Sequence, residues 1–237
     1  NALTLNGQLT ANDIDSDASG LSFSLVDASG APTSIDGLTL NAGGSFSFDP
    51  TADAYDYLAD GQSQVISVNY LVTDDNSATS AVQSFDITVL GTNDNPQATY
   101  TTADVLDSPL EGDAAISGQL TSSDLDSNAS ASYSLIGAAI PGLSINADGS
   151  WSFDPANSAY DNLADGELKS INVSYSVTDD QNAVDTGSFS INLTGTNDAP
   201  TATYTSDLSV LEGATDASGN ALTLNGQLTA NDIDSDA

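Results

Sequence analysis

The sequence predicts an all-β protein made of tandem seven-stranded β-sandwich domains linked end to end. Three observations lead there. Short runs rich in Leu, Val, Ile, Phe and Tyr alternate with Ser, Thr and Asn, and turn signals such as Ala28-Ser29-Gly30, Ala42-Gly43-Gly44 and Asp74 to Ser77 break them up. The chain repeats itself at a length of about 100 residues, which suits seven short strands closed around one core. Of its 34 acidic residues only Glu111, Glu167 and Glu212 are glutamate; aspartate belongs to turns, whereas a charged helical surface favours glutamate.

The repeat is defined by a joint. Gly91-Thr92-Asn93-Asp94-Asn95-Pro96 recurs 104 positions later as Gly195-Thr196-Asn197-Asp198-Ala199-Pro200. Each copy follows an alternating apolar run (Phe85, Ile87, Val89; Phe189, Ile191, Leu193) and ends in a proline that stops the strand. Away from the joint, Phe46-Ser47-Phe48-Asp49-Pro50 returns as Trp151-Ser152-Phe153-Asp154-Pro155, and Val72-Thr73-Asp74-Asp75 as Val177-Thr178-Asp179-Asp180. Residues 1 to 18 and 220 to 237 are identical, which adds a longer period of 219 made of two unlike units. The chain reads as a window on a longer array.

Taken in order, residues 1–96 are expected to form a sandwich repeat without its first strand. The clearest strand there is Val65 to Val72, with Ile66, Val68, Tyr70 and Val72 on one face. Between Pro50 and Gly61 the pattern turns weakly helical, and one or two helical turns should tuck Tyr55 and Leu58 inward, as should Tyr160 and Leu163 in the second copy. Residues 97–200 form the complete repeat. Its strands are expected near Ala98 to Leu106, Ala115 to Ser122, Ala131 to Ile136, Gly142 to Asn146, Ser150 to Asp154, Leu168 to Thr178 and Gly187 to Gly195. Trp151 takes the place of Phe46, which marks it as a large core residue. Residues 201–237 carry the opening strands of a third repeat and cannot bury an apolar face alone. They are expected to complete a neighbouring copy, by head-to-tail self-association through strand donation.

Composition removes several function classes. A formal charge of -33 with a single basic residue, Lys169, leaves nothing to neutralise phosphate on nucleic acid or acidic lipid. The absence of cysteine and histidine removes disulfides, thiolate zinc sites and imidazole ligands. No apolar run of membrane-spanning length is present. The expected partners are cations.

Carboxylates and carboxamides recur in four groups. These are Asp13, Asp15 and Asp17, with copies at Asp124 and Asp126 and at Asp232 and Asp234; Asp74 and Asp75, with copies at Asp179 and Asp180; the joints, with Asn93, Asp94 and Asn95 and then Asn197 and Asp198; and Glu111 and Glu212 near the start of a repeat. In an extended setting the two carboxylates of Asp-x-Asp point the same way, so both can face one ion. Calcium, which takes six to eight oxygens at flexible geometry, is the cofactor this donor set suits.

The runs Gly149 to Pro155, Val173 to Asp180 and Gly195 to Pro200 together resemble the VCBS or bacterial cadherin-like tandem repeat of large secreted, RTX-type biofilm adhesins. The resemblance implies an immunoglobulin- or cadherin-like sandwich stiffened by calcium, extracellular at the cell surface or in the biofilm matrix. It further implies ion sites between consecutive domains, where a linker Asp-x-Asn-Asp-Asn-x-Pro meets an early Glu and the next domain's Asp-x-Asp. Those roles fall on Asn93, Asp94, Asn95, Asn197 and Asp198, on Glu111 and Glu212, and on Asp124, Asp126, Asp232 and Asp234. Gly91 and Gly195 stand where the leading linker Asp would be, and Ala199 replaces the third linker ligand. The function expected is that of a structural spacer, not an enzyme: paired carboxylates in repeated loops come without His, Cys or Arg and without a unit-specific pocket. The alternative is a calcium-dependent carbohydrate- or surface-binding module.

Overall fold

The computed structural model of the chain describes residues 4–14, 20–203, 211–213, 215–221 and 227–234. Its strands are β1 (Leu5–Gln8), β2 (Ser22–Val26), β3 (Leu38–Leu40), β4 (Ser45–Phe48), β5 (Ser63–Thr73), β6 (Gln83–Leu90), β7 (Gln97–Ala98) and β8 (Ile116–Gln119). They continue as β9 (Ser122–Ser123), β10 (Ala131–Leu135), β11 (Leu143–Ile145), β12 (Ser150–Phe153), β13 (Leu168–Asp179), β14 (Val184–Thr194), β15 (Thr201–Thr203) and β16 (Thr229–Asn231). Short 3₁₀ turns lie at Asp53–Tyr55 and Thr102–Asp104. Sheets of order β1-β4-β3 and β2-β5-β6 recur as β8-β12-β11 and β10-β13-β14, with two-stranded pairs β7-β9 and β15-β16. Among the described residues no helix is long and apolar enough to cross a membrane.

The chain separates into two compact units. One holds Asn1–Gln97 with Ser122–Ala131 and Val177–Asp185; the other holds Ala98–Thr121, Ser132–Ser176 and Thr186–Ala237. In the first, β5 alternates exposed Val65 and Ser67 with buried Ile66 and Val68 and is half-buried from Asn69 to Thr73, where Leu71 breaks the alternation; antiparallel registry with β6 sets Ile66 opposite Ile87 and Val68 opposite Phe85. Ile66, Val68, Ile87 and Val89 bury against Phe48 of the facing sheet and against Tyr55 and Leu58. The 3₁₀ turn thus plugs one end of the sandwich, fixed by the Tyr55 hydroxyl donating to the Asp36 carbonyl at 2.8 Å.

The second unit repeats the plan with a tighter core. Val173, Tyr175 and Val177 on β13 and Ile191 and Leu193 on β14 are wholly buried, and Trp151 and Phe153 face them from β12. Trp151 is a core residue, as its correspondence with Phe46 predicts. It fits because position 118 is glycine: a Cβ there would stand 2.6 Å from the indole. Tyr160 and Leu163 fill the end of the core, and the Tyr160 hydroxyl donates to the Pro141 carbonyl at 2.8 Å.

Two expected strands are corrected. The first strand of the complete repeat does not run from Ala98 to Leu106; β7 stops at Ala98. The segment has to serve two partners, donating from the Thr99 amide to the Thr121 carbonyl at one end and forming a parallel bridge from Leu110 to Thr194 at the other. It changes partner through the Thr102–Asp104 turn, where the Asp104 carboxylate accepts from the Thr101 amide at 2.7 Å in a capping box. The strand expected over Ala115 to Ser122 is likewise broken after Gln119, where Leu120 turns into the core. Beyond Pro200, β15 and β16 pair antiparallel, with Thr201 opposite Asn231, and are exposed on both strands.

Candidate cation sites at the two joints

Each joint leaves a strand end through a glycine that admits no side chain. A Cβ on Gly91 would lie 2.2 Å from the Leu58 carbonyl oxygen, and one on Gly195 would lie 2.3 Å from that of Ala164. The strand has to press against the Tyr-Leu plug, so an acidic residue cannot occupy the linker's leading position here. The missing linker carboxylate has a steric cause.

At the first joint the Asp94 amide donates to Asp126 Oδ2 at 2.8 Å, and the Asp126 amide donates to Asp124 Oδ1 at 3.0 Å. Asp124 therefore lies in a bend that caps the backbone, not in an extended strand pointing both carboxylates one way. Asn93 Nδ2 donates to the Asp94 carbonyl at 2.6 Å and to Asp179 Oδ2 at 2.9 Å. Ser127 anchors the same corner, its amide donating to the Tyr57 carbonyl and its hydroxyl to Gln62 Oε1, both at 2.9 Å. Burial pushes the Asp94 carboxyl above its ordinary value, and the nearby charges of Asp126, Asp56 and Asp124 push it further.

The second joint copies this arrangement. The Asp198 amide donates to Asp234 Oδ2 at 2.9 Å, the Asp234 amide to Asp232 Oδ1 at 3.3 Å, and Asn197 Nδ2 to the Asp198 carbonyl at 2.8 Å. Here Glu111 joins the cluster. Its amide donates to the Thr194 carbonyl at 2.8 Å and its Oε2 accepts from the Thr196 amide at 3.1 Å. Burial raises the Glu111 pKa, partly offset by the Thr196 hydrogen bond and reinforced by the charges of Asp198, Asp161 and Asp234.

One atom at each joint stands out. Asp126 and Asp234 are each only 8 % exposed, and in both the second carboxylate oxygen, Oδ1, is buried without a hydrogen-bond partner among the described residues. A buried carboxylate oxygen left unpaired is costly, and the same vacancy at matched positions of two repeats is not an accident of one loop. The carboxylates are nevertheless not gathered into a formed centre: among the described residues no group of three or more acids is spaced to hold a metal ion as it stands.

The other predicted residues fall elsewhere. Asp74 Oδ1 accepts from the Asn76 and Ala78 amides at 2.9 and 2.7 Å, and Asp179 Oδ1 accepts from those of Gln181 and Ala183 at 2.9 and 2.8 Å. These are hairpin turns built by aspartate. Asp179 also pays into the first joint through Oδ2. Burial works to raise its pKa, but the Asn93 side chain and the amides of Ala183, Gln181 and Asn182 outweigh it and hold the carboxyl below its ordinary value. Asp13 lines a groove with Asp74, Asp75 accepts from Asn76 Nδ2 at 3.3 Å, and Asn95, Asp180 and Glu212 are exposed. Asp15 and Asp17 lie outside the described residues. Sequence reasoning passed over Asp56 and Asp161, whose charges reach Asp94 and Glu111. The signal was the recurring Tyr-Asp-x-Leu of residues 55–58 and 160–163, in which only the tyrosine and leucine drew notice.

A family model described as bacterial Ig domain matches residues 1–88 and 93–192. A comparison with curated protein sequences finds no match. Among solved structures, human CDH23 EC21-23 is 17% identical at a TM-score of 0.49, over 95% of this chain and 77% of that one. Drosophila N-cadherin EC1-4 is 13% identical at 0.44, over 83% of this chain and 46% of that one. The protocadherin GammaB4 extracellular domain is 15% identical at 0.45, over 90% and 32%. The chain thus spans about half the length of the N-cadherin fragment and about a third of the protocadherin.

Proposed function

Because this chain belongs to the bacterial Ig domain family, we propose that it is a spacer segment of a bacterial surface adhesin or biofilm matrix protein whose joints are stiffened by calcium. The domain boundaries proposed are those of the repeat, 1–96 and 97–200, with 201–237 opening a third, in an array of the VCBS type. Its place is outside the cell, where calcium is available at the millimolar level that extracellular modules require.

The observation that carries this reading is the orphaned oxygen on Asp126 and again on Asp234. A cation offers that oxygen the partner the protein withholds, and it relieves the crowding of like charge that raises Asp94 and Glu111. The donors in reach are all hard oxygens of carboxylate, carboxamide and backbone, the set that selects calcium over zinc or copper. Asn93, Asp94, Asp124, Asp126 and Asp56 would hold the ion at the first joint, and Glu111, Asp161, Asn197, Asp198, Asp232 and Asp234 at the second. Bound there, calcium supplies charge neutralisation and cross-linking only: it ties the linker to the loops on either side and removes their freedom to swing.

Isothermal titration calorimetry tests the proposal. Calcium should bind with at least one ion per joint and dissociation constants around 0.1 to 1 mM, and magnesium should compete poorly because it demands stricter octahedral geometry. Absence of saturable calcium binding at about 10 mM, ten times the weakest of those constants, would sink it.

A further inference from the structure

Gln62 is the centre of a hydrogen-bonded hub at the first joint, and its partners Ala59, Gly91 and Ser127 lie with it in one compact unit. Its amide donates to the Ala59 carbonyl and its carbonyl accepts from the Gly91 amide, both at 2.9 Å. Its side-chain Oε1 turns back to accept from the Ala59 amide at 3.3 Å, so the side chain is held by its own turn. The second repeat builds the same hub on Glu167. There the amide donates to the Ala164 carbonyl and the carbonyl accepts from the Gly195 amide, both at 2.8 Å, while Oε2 accepts from the Ala164 amide at 3.1 Å. An acceptor oxygen set beside the strand end is therefore part of the repeat, and at the first joint that acceptor is uncharged.

Gln62 Oε1 also accepts from the Ser127 hydroxyl at 2.9 Å, and the Ser127 amide donates to the Tyr57 carbonyl at 2.9 Å. Ser127 directly follows Asp126, whose Oδ2 accepts from the Asp94 amide at 2.8 Å. Two neutral hydrogen bonds from one residue thus tie the bend of residues 124–126 to the turn that plugs the core. They act against the charges gathered there, because Asp94 lies among Asp126, Asp56 and Asp124, whose repulsion pushes linker and bend apart when no cation is bound. A carboxylate at position 62 would add to that repulsion; a carboxamide does not.

We propose that Gln62 and Ser127 form an ion-free clasp that holds the bend of residues 124–126 in place before a cation arrives. Both are positioning residues, not ligands. That the bend then receives calcium rests on the function proposed above; the clasp itself does not. Because the bend is ordered beforehand, less ordering opposes binding when the ion enters.

Hydrogen exchange of the full chain in chelator tests this at the Asp94 amide, which is remote from Ser127 in sequence and is held by Asp126. Ser127→Ala and Gln62→Ala should each speed its exchange roughly 5-fold, the loss expected for one neutral hydrogen bond. Ser127→Thr, which keeps the hydroxyl, should exchange at the wild-type rate. Calorimetric titration should show calcium affinity at the first joint weakened by about the same factor in Ser127→Ala. Exchange unchanged in Ser127→Ala overturns the proposal, and so does a change there that Gln62→Ala does not share, which would give the hydroxyl another acceptor. Calcium binding to Ser127→Ala at wild-type affinity also overturns it, since the bend would need no positioning. A wild type that binds no calcium would refute the ion sites alone, because exchange in chelator still decides the clasp.

Discussion

Replacing Asp126 by Asn separates a cation site from an ordinary buried hydrogen bond. Asparagine keeps the shape and keeps an oxygen to accept from the Asp94 amide, the one hydrogen bond that the Asp126 side chain accepts among the described residues. It removes the charge on Oδ1, the oxygen with no partner. In chelator Asp126→Asn should melt at the wild-type temperature or a few degrees above, because a like charge beside Asp94 has gone. In about 10 mM calcium, with a dissociation constant of about 0.1 to 1 mM, each occupied site stabilises the wild type by roughly 1.4 to 2.7 kcal/mol. For a domain of this size that is a rise of roughly 6 to 20 °C. Asp126→Asn should lose the share of that rise that belongs to the first joint and keep the share of the second; Asp234→Asn should do the reverse. Differential scanning calorimetry with matched calcium and chelator buffers reads both. Equal calcium increments in the wild type and both variants would refute the reasoning. So would an Asp126→Asn melting point that falls as far in chelator as in calcium, since the charge would then be serving the fold itself.

The two joints also set a pH signature. Asp94 and Glu111 have folded pKa values raised above 3.8 and 4.5, so the folded state holds their protons more tightly and, in chelator, stability is gained as pH falls through the raised values. Asp27, Asp49, Asp148, Asp179 and Asp216 are lowered below 3.8; their contribution is present above that value and is lost as pH falls through their folded ones. As pH falls through the raised values, the wild type's melting temperature in chelator should therefore gain on those of Asp94→Asn and Glu111→Gln, while the calcium increment shrinks as protons compete; variants that track the wild type at every pH would contradict this. In the core, Trp151→Ala should cost roughly 3 to 5 kcal/mol in urea unfolding and Trp151→Phe less than about 1.5 kcal/mol, since Phe46 fills the same place in the first repeat; equal losses would show that the indole does something a phenyl ring cannot.

Strand content and the core were legible because they rest on period-two alternation, which β13 displays from Ile171 to Val177 and β5 from Val65 to Val68, and on a repeat that let each reading be checked twice. Tyr55, Leu58, Tyr160 and Leu163 were found for the same reason. The first segment of the second repeat was not, because its alternation is compatible with one long strand. Only the need to pair with Thr121 at one end and Thr194 at the other forces the 3₁₀ turn, and both partners are distant in sequence. The steric demand at Gly91 and Gly195 was equally invisible: a glycine in a linker reads as freedom, whereas here it marks contact with the carbonyls of Leu58 and Ala164.

The aspartates divide along a line that composition hides. Asp27, Asp74, Asp179 and Asp216 each accept from the amides two and four residues on, closing hairpin turns. Asp49 and Asp148 accept from the hydroxyl and amide of Thr51 and Ser150. Such acids are satisfied by the protein, and a cation adds nothing to them that the backbone does not already give. Asp94 and Glu111 are held among other carboxylates, and their pKa values move the opposite way. In sequence the two kinds look alike, which is why Asp74 and Asp75 entered the candidate list beside Asp124 and Asp126. What separates them is the direction of the donor: an Asp whose own loop turns its amides inward forms a turn, and an Asp whose neighbours at the joint are further acids keeps an oxygen that the protein does not satisfy. Charge density alone therefore does not separate the two kinds of aspartate, and the proposed ion sites rest instead on the orphaned oxygens of Asp126 and Asp234.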